Sequence, residues 1–161
     1  MINIKIDSKK IQQGDIFVAI KGTQTDGHNY IDEAIKNGAA RIILEKNIII
    51  PKKIKKTRVK DTKKWLRRYI SKKYNKQINK MNIVGITGTN GKTTTAYLTY
   101  QMLNLLGSKT AYIGTLGFSI PNEKNIELPN TTPNILDLYE LLLYAKEKEC
   151  KNIIGLLKPS K

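Results

Sequence analysis

Apolar positions along the chain change period several times, and each change marks an element. Residues 2 to 6 and 15 to 20 (DIFVAI) are short runs rich in Ile, Val and Phe, bounded by Gly14 and Gly22, and they predict strands. Between Tyr30 and Gly38 the period lengthens. IDEAIKNG sets Ile31, Ala34 and Ile35 on one face, has acids in its first turn and ends at Gly38 where a capping glycine belongs, so it predicts a short helix. AARIILE returns to a strand pattern. Strand, helix and strand in this order predict a small α/β unit over about residues 1–60. The next stretch, NIIIPKKIKKTRVKD, is poorly periodic. It leads into a helix over 61–77, where Trp65, Leu66, Tyr69, Ile70 and Tyr74 recur at helical spacing. A boundary near Asn79 to Asn82 follows.

The pattern then restarts. NIVGIT has the continuous apolar character of a buried strand, a glycine-rich loop follows, and TTTAYLTYQMLNLLG predicts a helix closing at Gly107. TAYIGT and GFSI predict further strands. After the turn-like PNEKN, the segment NTTPNILDLYELLLYAKEKEC predicts a helix to about Glu149, with Thr132 as N-cap and Pro133 in the first helical position. NIIGLL is one more strand. The strand, loop, helix, strand order is that of a nucleotide-binding α/β domain, and a sheet this small leaves parallel edges unpaired and prone to association.

Composition narrows the classes. The chain is 40% hydrophobic and 26% charged, an ordinary globular balance, and no apolar run approaches the roughly 18 residues of a membrane span. The N-terminus MINIKIDSKK lacks the apolar core of a secretory signal, and the single cysteine, Cys150, cannot form an internal disulfide; a cytoplasmic location is the expectation. The net charge of +16 is unevenly spread. Residues 51–80 carry 14 Lys or Arg against the single acid Asp61, whereas residues 81–161 carry 8 against 6. Lys63, Lys64, Arg67, Arg68, Lys72 and Lys73 alternate with the apolar seam of the predicted helix, which gives it a basic outer face. That face reads first as solvated surface; an anion or nucleic-acid surface is the alternative.

The candidate chemistry lies in GITGTNGKTT, Gly85 to Thr94. Successive backbone N–H groups and a helix N-terminus can converge on phosphate oxygens, with a Lys adding a full charge and a hydroxyl reaching Mg²⁺. Gly88 and Gly91 allow the tight backbone path, Lys92 reaches the β- and γ-phosphates as the catalytic cation, and Thr93 ligates the metal; Thr89, Asn90 and Thr94 complete the ATP contacts. The spacing is a variant, with Ile86 where the common phosphate-loop pattern has its first Gly.

GITGTNGKTTT is similar to the ATP loop of the Mur ligase family. DSKKIQQGDIFVAIKGTQTDGHNYIDEAIKNGAARIILE resembles the family's N-terminal uridine-diphosphate-binding domain, and IGTLGFSI with NTTPNILDLYELL resembles its tripeptide-synthetase branch. The resemblance runs from Ile6 to about Ile154. It implies an α/β chain in which a small N-terminal Mur-ligase substrate domain (1–80) precedes an incomplete P-loop ATP-binding α/β domain (81–161). The activity implied is amide-bond formation through an acyl phosphate, adding Lys or diaminopimelate to UDP-MurNAc-alanyl-glutamate in cell-wall synthesis. The cofactors implied are ATP and Mg²⁺, and the family implies a monomer without membrane or nucleic-acid partners. By the same resemblance Ile6 and Ser8 contact the nucleotide of the substrate, Thr23, Gln24 and Thr25 lie along the uridine, and Asn130, Thr131 and Thr132 reach its sugar-peptide part. Read without the family, Asp7 and Ser8 make a turn and Thr132 caps a helix equally well. Asp26 and Gly27 read as a turn, and His28, the only histidine, as structural.

The family pattern is broken in places. Lys9 stands where the family usually has Arg, which keeps the charge but loses the planar fork. Where the family continues with a Met-Glu and Ser-Ser-His segment this sequence reads GLLKPSK, and the expectation is a truncated copy without the C-terminal domain, a frameshift being one explanation, and without ligase activity of its own. Two other functions compete: the sister ligase that adds D-alanyl-D-alanine, against which the NTTP segment speaks, and a basic nucleic-acid-binding P-loop ATPase.

Overall fold

The computed structural model describes residues 3–22, 25–129 and 133–156 and separates into two compact units, residues 1–72 and 73–161. In the first unit four short strands, β1 (Ile4–Lys5), β2 (Ile16–Val18), β3 (Arg41–Leu44) and β4 (Lys55–Arg58), form one parallel sheet in chain order. Helix α1 (Ile31–Lys36) connects β2 to β3 and turns Ile31 and Ala34 into a core with Phe17, Ala19, Ile42 and Leu44. β4 lies in the stretch that periodicity left without an element. Its residues KKTR are mostly exposed, since β4 is an edge strand, and lysines at an edge discourage pairing with other chains. The Arg41 guanidinium on β3 donates to Thr57 Oγ1 from Nε (3.1 Å) and Nη2 (2.8 Å), which ties that edge to its neighbour.

The buried His28 locks the connection after β2. Its Nε2 accepts from the Glu45 amide at 3.0 Å, so the ring proton sits on Nδ1 and is donated to Asp26 Oδ1 at 2.6 Å. Asp26 also accepts from the His28 amide and pairs with Lys46 Nζ at 2.7 Å; the Lys46 ammonium and then the His28 N–H groups hold its carboxyl well below the usual carboxylate range. One imidazole thereby joins the turn at 26–30 to the end of β3, which is the structural role expected of it.

Glu45, the next residue along, starts α2 (Thr62–Ile78). Its Oε1 accepts from both the amide and the hydroxyl of Thr62, at 2.7 Å each, while Asp61 Oδ1 caps the first turn through the Lys64 amide at 2.8 Å. The helix then buries every fourth residue, Thr62, Leu66, Ile70, Tyr74 and Ile78, and exposes its Lys and Arg residues between them.

In the second unit, β5 (Asn82–Ile86), β6 (Thr110–Gly114), β7 (Gly117–Ser119) and β8 (Asn152–Leu156) form a sheet in the order β5-β8-β6-β7, parallel except for β7. α3 (Lys92–Leu105) and α4 (Ile135–Glu147) lie on its opposite faces. Alternation along the central strands sends Ala111, Ile113 and Ile153 into the core with Leu142 and Ala145, and Tyr112, Ile154 and Leu156 into the core with Ala96. Cys150 is a buried member of the first core, and burial pushes its thiol pKa up.

Two expectations need correction. NIVGIT does form a strand, but β5 is an edge: only β8 pairs with it, and Ile83 and Val84 are 53% and 45% exposed. The helix α4 is capped by Asn134 and not by Thr132. Asn134 Oδ1 accepts from the Leu136 and Asp137 amides at 2.9 and 3.1 Å, so helical geometry begins only after Pro133.

Two tests follow from the first unit. His28→Ala leaves the Glu45 amide and the Asp26 carboxylate without their shared partner; a loss of ~1–3 kcal/mol is expected in urea unfolding followed by Trp65 fluorescence, and an unchanged midpoint contradicts the lock. The Thr62 bonds hold the Glu45 carboxyl below its ordinary pKa. Its contribution is therefore complete above about pH 4.3 and is lost as pH falls through the depressed folded value. Glu45→Gln should flatten that acid-side loss of helix signal in circular dichroism; a variant with the same acid dependence as the parent rules the cap out.

Candidate functional site

Strand β5 ends at Ile86, and α3 begins six residues later at Lys92, so the loop between them crosses the carboxyl edge of the sheet, where open α/β folds place ligands. The turn into the helix is made at Gly91, whose φ of +73° is left-handed, and Gly88 has a φ of +151°. Nothing crowds a Cβ at Gly91 and only ordinary contacts meet one at Gly88, so backbone conformation rather than space selects glycine at both.

Capping sets α3 apart from the other long helices. Asp61 and Asn134 close the first turns of α2 and α4, whereas the N-cap of α3 is Gly91, which has no side chain to offer and makes no capping bond. Its leading amides and the positive end of its dipole thus open onto the loop. The Lys92 side chain bends back over the same loop, and its ammonium donates to the carbonyls of Gly88 and of Thr89, the latter at 3.0 Å. Thr93 Oγ1 lies 3.3 Å from Thr115 Oγ1, just beyond the end of β6. A cation, a row of open amides and two hydroxyls therefore converge on one strand-to-helix turn, a donor set that fits the phosphates of a nucleotide and a hydrated Mg²⁺. Thr89, Asn90 and Thr94 are exposed around it. Thr115 carried no role in the sequence reading; its only signal there was a hydroxyl directly after a buried strand.

The floor of the loop is tightly packed. Tyr97 meets Tyr112 edge-on, with ring centroids 5.5 Å apart at 90°, and a Cβ at Gly114 would come within 2.4 Å of the Tyr112 hydroxyl and 2.8 Å of Leu156 Cδ1. Burial pushes the Tyr112 pKa up, against a smaller downward pull from the Leu116 and Thr115 amides.

The first unit holds the candidates for the nucleotide end of a substrate. Ile6 and Ser8 follow β1 and Thr25 follows β2, so they emerge from the carboxyl ends of neighbouring parallel strands. Asp7 accepts from the Lys9 amide at 3.0 Å and makes the turn. Ser8 is buried, its hydroxyl donating to the Glu33 carboxylate and its carbonyl accepting from Asn37 Nδ2 at 2.9 Å. Thr25 is exposed, with its carbonyl taking the Gly22 amide at 2.9 Å. Thr23, Gln24, Asn130, Thr131 and Thr132 lie outside the described residues.

Comparison with known proteins places both halves. Residues 2–87 match the model of the Mur ligase family, catalytic domain, and residues 86–155 match the Mur ligase middle domain. The chain belongs to the Mur ligase family. A UDP-N-acetylmuramoyl-L-alanyl-D-glutamate–2,6-diaminopimelate ligase from Clostridium perfringens is 41% identical over 139 residues, which are 86% of this chain and 28% of that protein. A second ligase of that name from Clostridium acetobutylicum is 39% identical over 163 residues, covering 95% of this chain and 33% of its own length. Among solved structures, the MurF ligase of Thermotoga maritima in complex with ADP superposes with a TM-score of 0.62 at 27% identity, covering 98% of this chain and 32% of that one. A diaminopimelate ligase structure shares the fold with a TM-score of 0.76 at 24% identity, again over 98% of this chain and 32% of that one. This Mur ligase chain thus spans about a third of the length of the relatives it matches.

Gly114→Ala tests the floor of the loop. The clash with Tyr112 and Leu156 should lower stability by ~1–3 kcal/mol in thermal unfolding; a variant as stable as the parent contradicts the packing described.

Proposed function

We propose that this chain supplies the ATP cradle and the uridine-nucleotide end of a substrate site in an ATP-dependent, amide-forming ligase of peptidoglycan synthesis. The reaction is the addition of the third amino acid to UDP-MurNAc-L-Ala-D-Glu. Between Lys and diaminopimelate, the names of the relatives at 36–41% identity favour diaminopimelate. The observation that carries this reading is the uncapped first turn of α3, with Lys92 folded over the loop and Thr93 beside Thr115.

ATP supplies the phosphoryl group that activates a substrate carboxylate, and Mg²⁺ screens the phosphates while it moves. The residues of the chain act around that step. Amides from Gly88 to Thr94 orient the phosphate oxygens, and Lys92 exchanges its contacts with the Gly88 and Thr89 carbonyls for the terminal phosphates, where developing charge needs a fixed cation. Thr93 offers its hydroxyl to the metal, and Thr115 holds that hydroxyl in place. Ile6, Ser8, Thr23, Gln24 and Thr25 take the uridine end of the substrate, and Asn130, Thr131 and Thr132 its sugar-peptide end. Among the described residues no helix is long and apolar enough to cross a membrane; the working place of the ligase is taken to be the cytoplasm, and its working form a monomer.

The test is a thermal melt of the 161-residue chain with Mg-ATP. A ligand that binds only the folded form must raise the midpoint, and about 5 mM nucleotide should raise it measurably. Lys92→Ala removes a charge-assisted contact and should weaken binding ~10- to 100-fold. No shift at that concentration, or the same shift in Lys92→Ala, overturns the reading.

A further inference from the structure

The positive charge concentrated in residues 51–80 has no part in the ligase reading, and the structure shows why it stays available. Between Lys46 and Lys80 the only acid is Asp61, whose carboxylate is occupied by the Lys64 amide. The nearest preceding acid, Glu45, is occupied by Thr62. Both carboxylates serve the helix backbone. Lys60, Lys63, Lys64, Arg67, Arg68 and Lys72 are all exposed, and the pairs Lys63 with Arg67, Lys64 with Arg68, and Arg68 with Lys72 are like charges one helical turn apart, about 6 Å along the axis. The end of β4 adds an exposed Arg58 near the start of α2, since its Nε donates at 3.1 Å to the carbonyl of Glu45, whose carboxylate takes Thr62. Such a row is self-repelling alone and relieved by a polyanion.

We infer that the outer face of α2, with the end of β4, binds the phosphate backbone of single-stranded nucleic acid. Three features choose this partner over an anionic membrane. The apolar seam of α2 is turned inward, with Leu66 and Ile70 fully buried, so the helix has no free apolar face to lay into a bilayer. The cations run along the helix in rows, as a phosphate backbone requires. Trp65 and Tyr69, half-buried at the margin of those rows, stack on each other at 5.0 Å and present an aromatic platform beside the charge.

Trp65 is the only tryptophan in the chain, so its fluorescence reports on this face directly. The experiment titrates the 161-residue chain into labelled oligo-dT and oligo-U of about 20 nucleotides, a length that spans one such site, and follows anisotropy and Trp65 emission across a salt series. Expected are binding at about 50 mM salt, quenching of Trp65, and a log–log salt slope of about −2 to −4, since each phosphate neutralised on a single strand contributes about 0.7. Replacing Lys64, Arg68 and Lys72 by Gln should weaken binding at least about tenfold, while replacing Lys36, Lys124 and Lys146 by Gln should change it less than about twofold. Trp65 quenching in the unaltered chain stands whether or not a variant folds. Absence of binding at low salt, binding without a change in Trp65, equal losses in the two triple variants, or adsorption to phosphatidylserine vesicles without oligonucleotide binding each overturns the inference.

Discussion

The first turn of α3 governs the second unit. A helix leaves four amides without internal partners at its start, and most helices meet that need with a side chain. Here α2 uses Asp61 and α4 uses Asn134, each worth about 1 kcal/mol to its helix. α3 forgoes the cap because its chain must pass through left-handed geometry at Gly91 to turn off the end of β5. The stability lost at that turn is recovered beneath it, where Ala96, Tyr97 and Tyr112 pack together, and the uncapped amides stay open to the loop.

The first unit is organised in the opposite way, with its polar groups matched internally. His28 joins a turn to the end of β3, Glu45 joins β3 to α2, and Ser8 joins the turn after β1 to α1 through Glu33. Asp7, Asp15, Asp26, Glu45 and Asp61 accept from backbone amides of this unit, and the lysines of β4 and α2 face solvent. Edge strand β4 is protected by that charge. Edge strand β5 carries none: Lys92 is the only charged residue between Met81 and Ser108, and Ile83, Val84, Leu98, Met102 and Leu105 stand exposed on that strand and the helix beside it.

Elements whose pattern reflects burial were legible in the sequence. The apolar run TAYIGT forms a strand and the helical recurrence of Leu66, Ile70 and Tyr74 forms a buried helix face, while Trp65 and Tyr69 of the same recurrence stay half-buried; Gly88 and Gly91 take the positive φ that a tight loop path asks of glycine. What sequence missed depends on neighbours. β4 is hidden in the sequence because an edge strand needs no apolar side chains, and β5 reads as a buried strand because its run is continuously apolar; neither residue run states how many strands flank it. Thr132 reads as the cap because Pro133 suits a first helical position, whereas the observed capping bonds are made by Asn134, one residue after that proline. Thr115 escaped notice because it meets Thr93 only when β6 lies beside the loop in space.

An amide-resolved NMR titration with Mg-ADP decides whether the open amides of α3 hold phosphate. The amide signals of Gly88 to Thr94, with Thr115, should move together and saturate, while those of the capped turns at Lys64 and Leu136 stay in place. Shifts spread evenly over both units, or a loop that does not respond, would show that they do not.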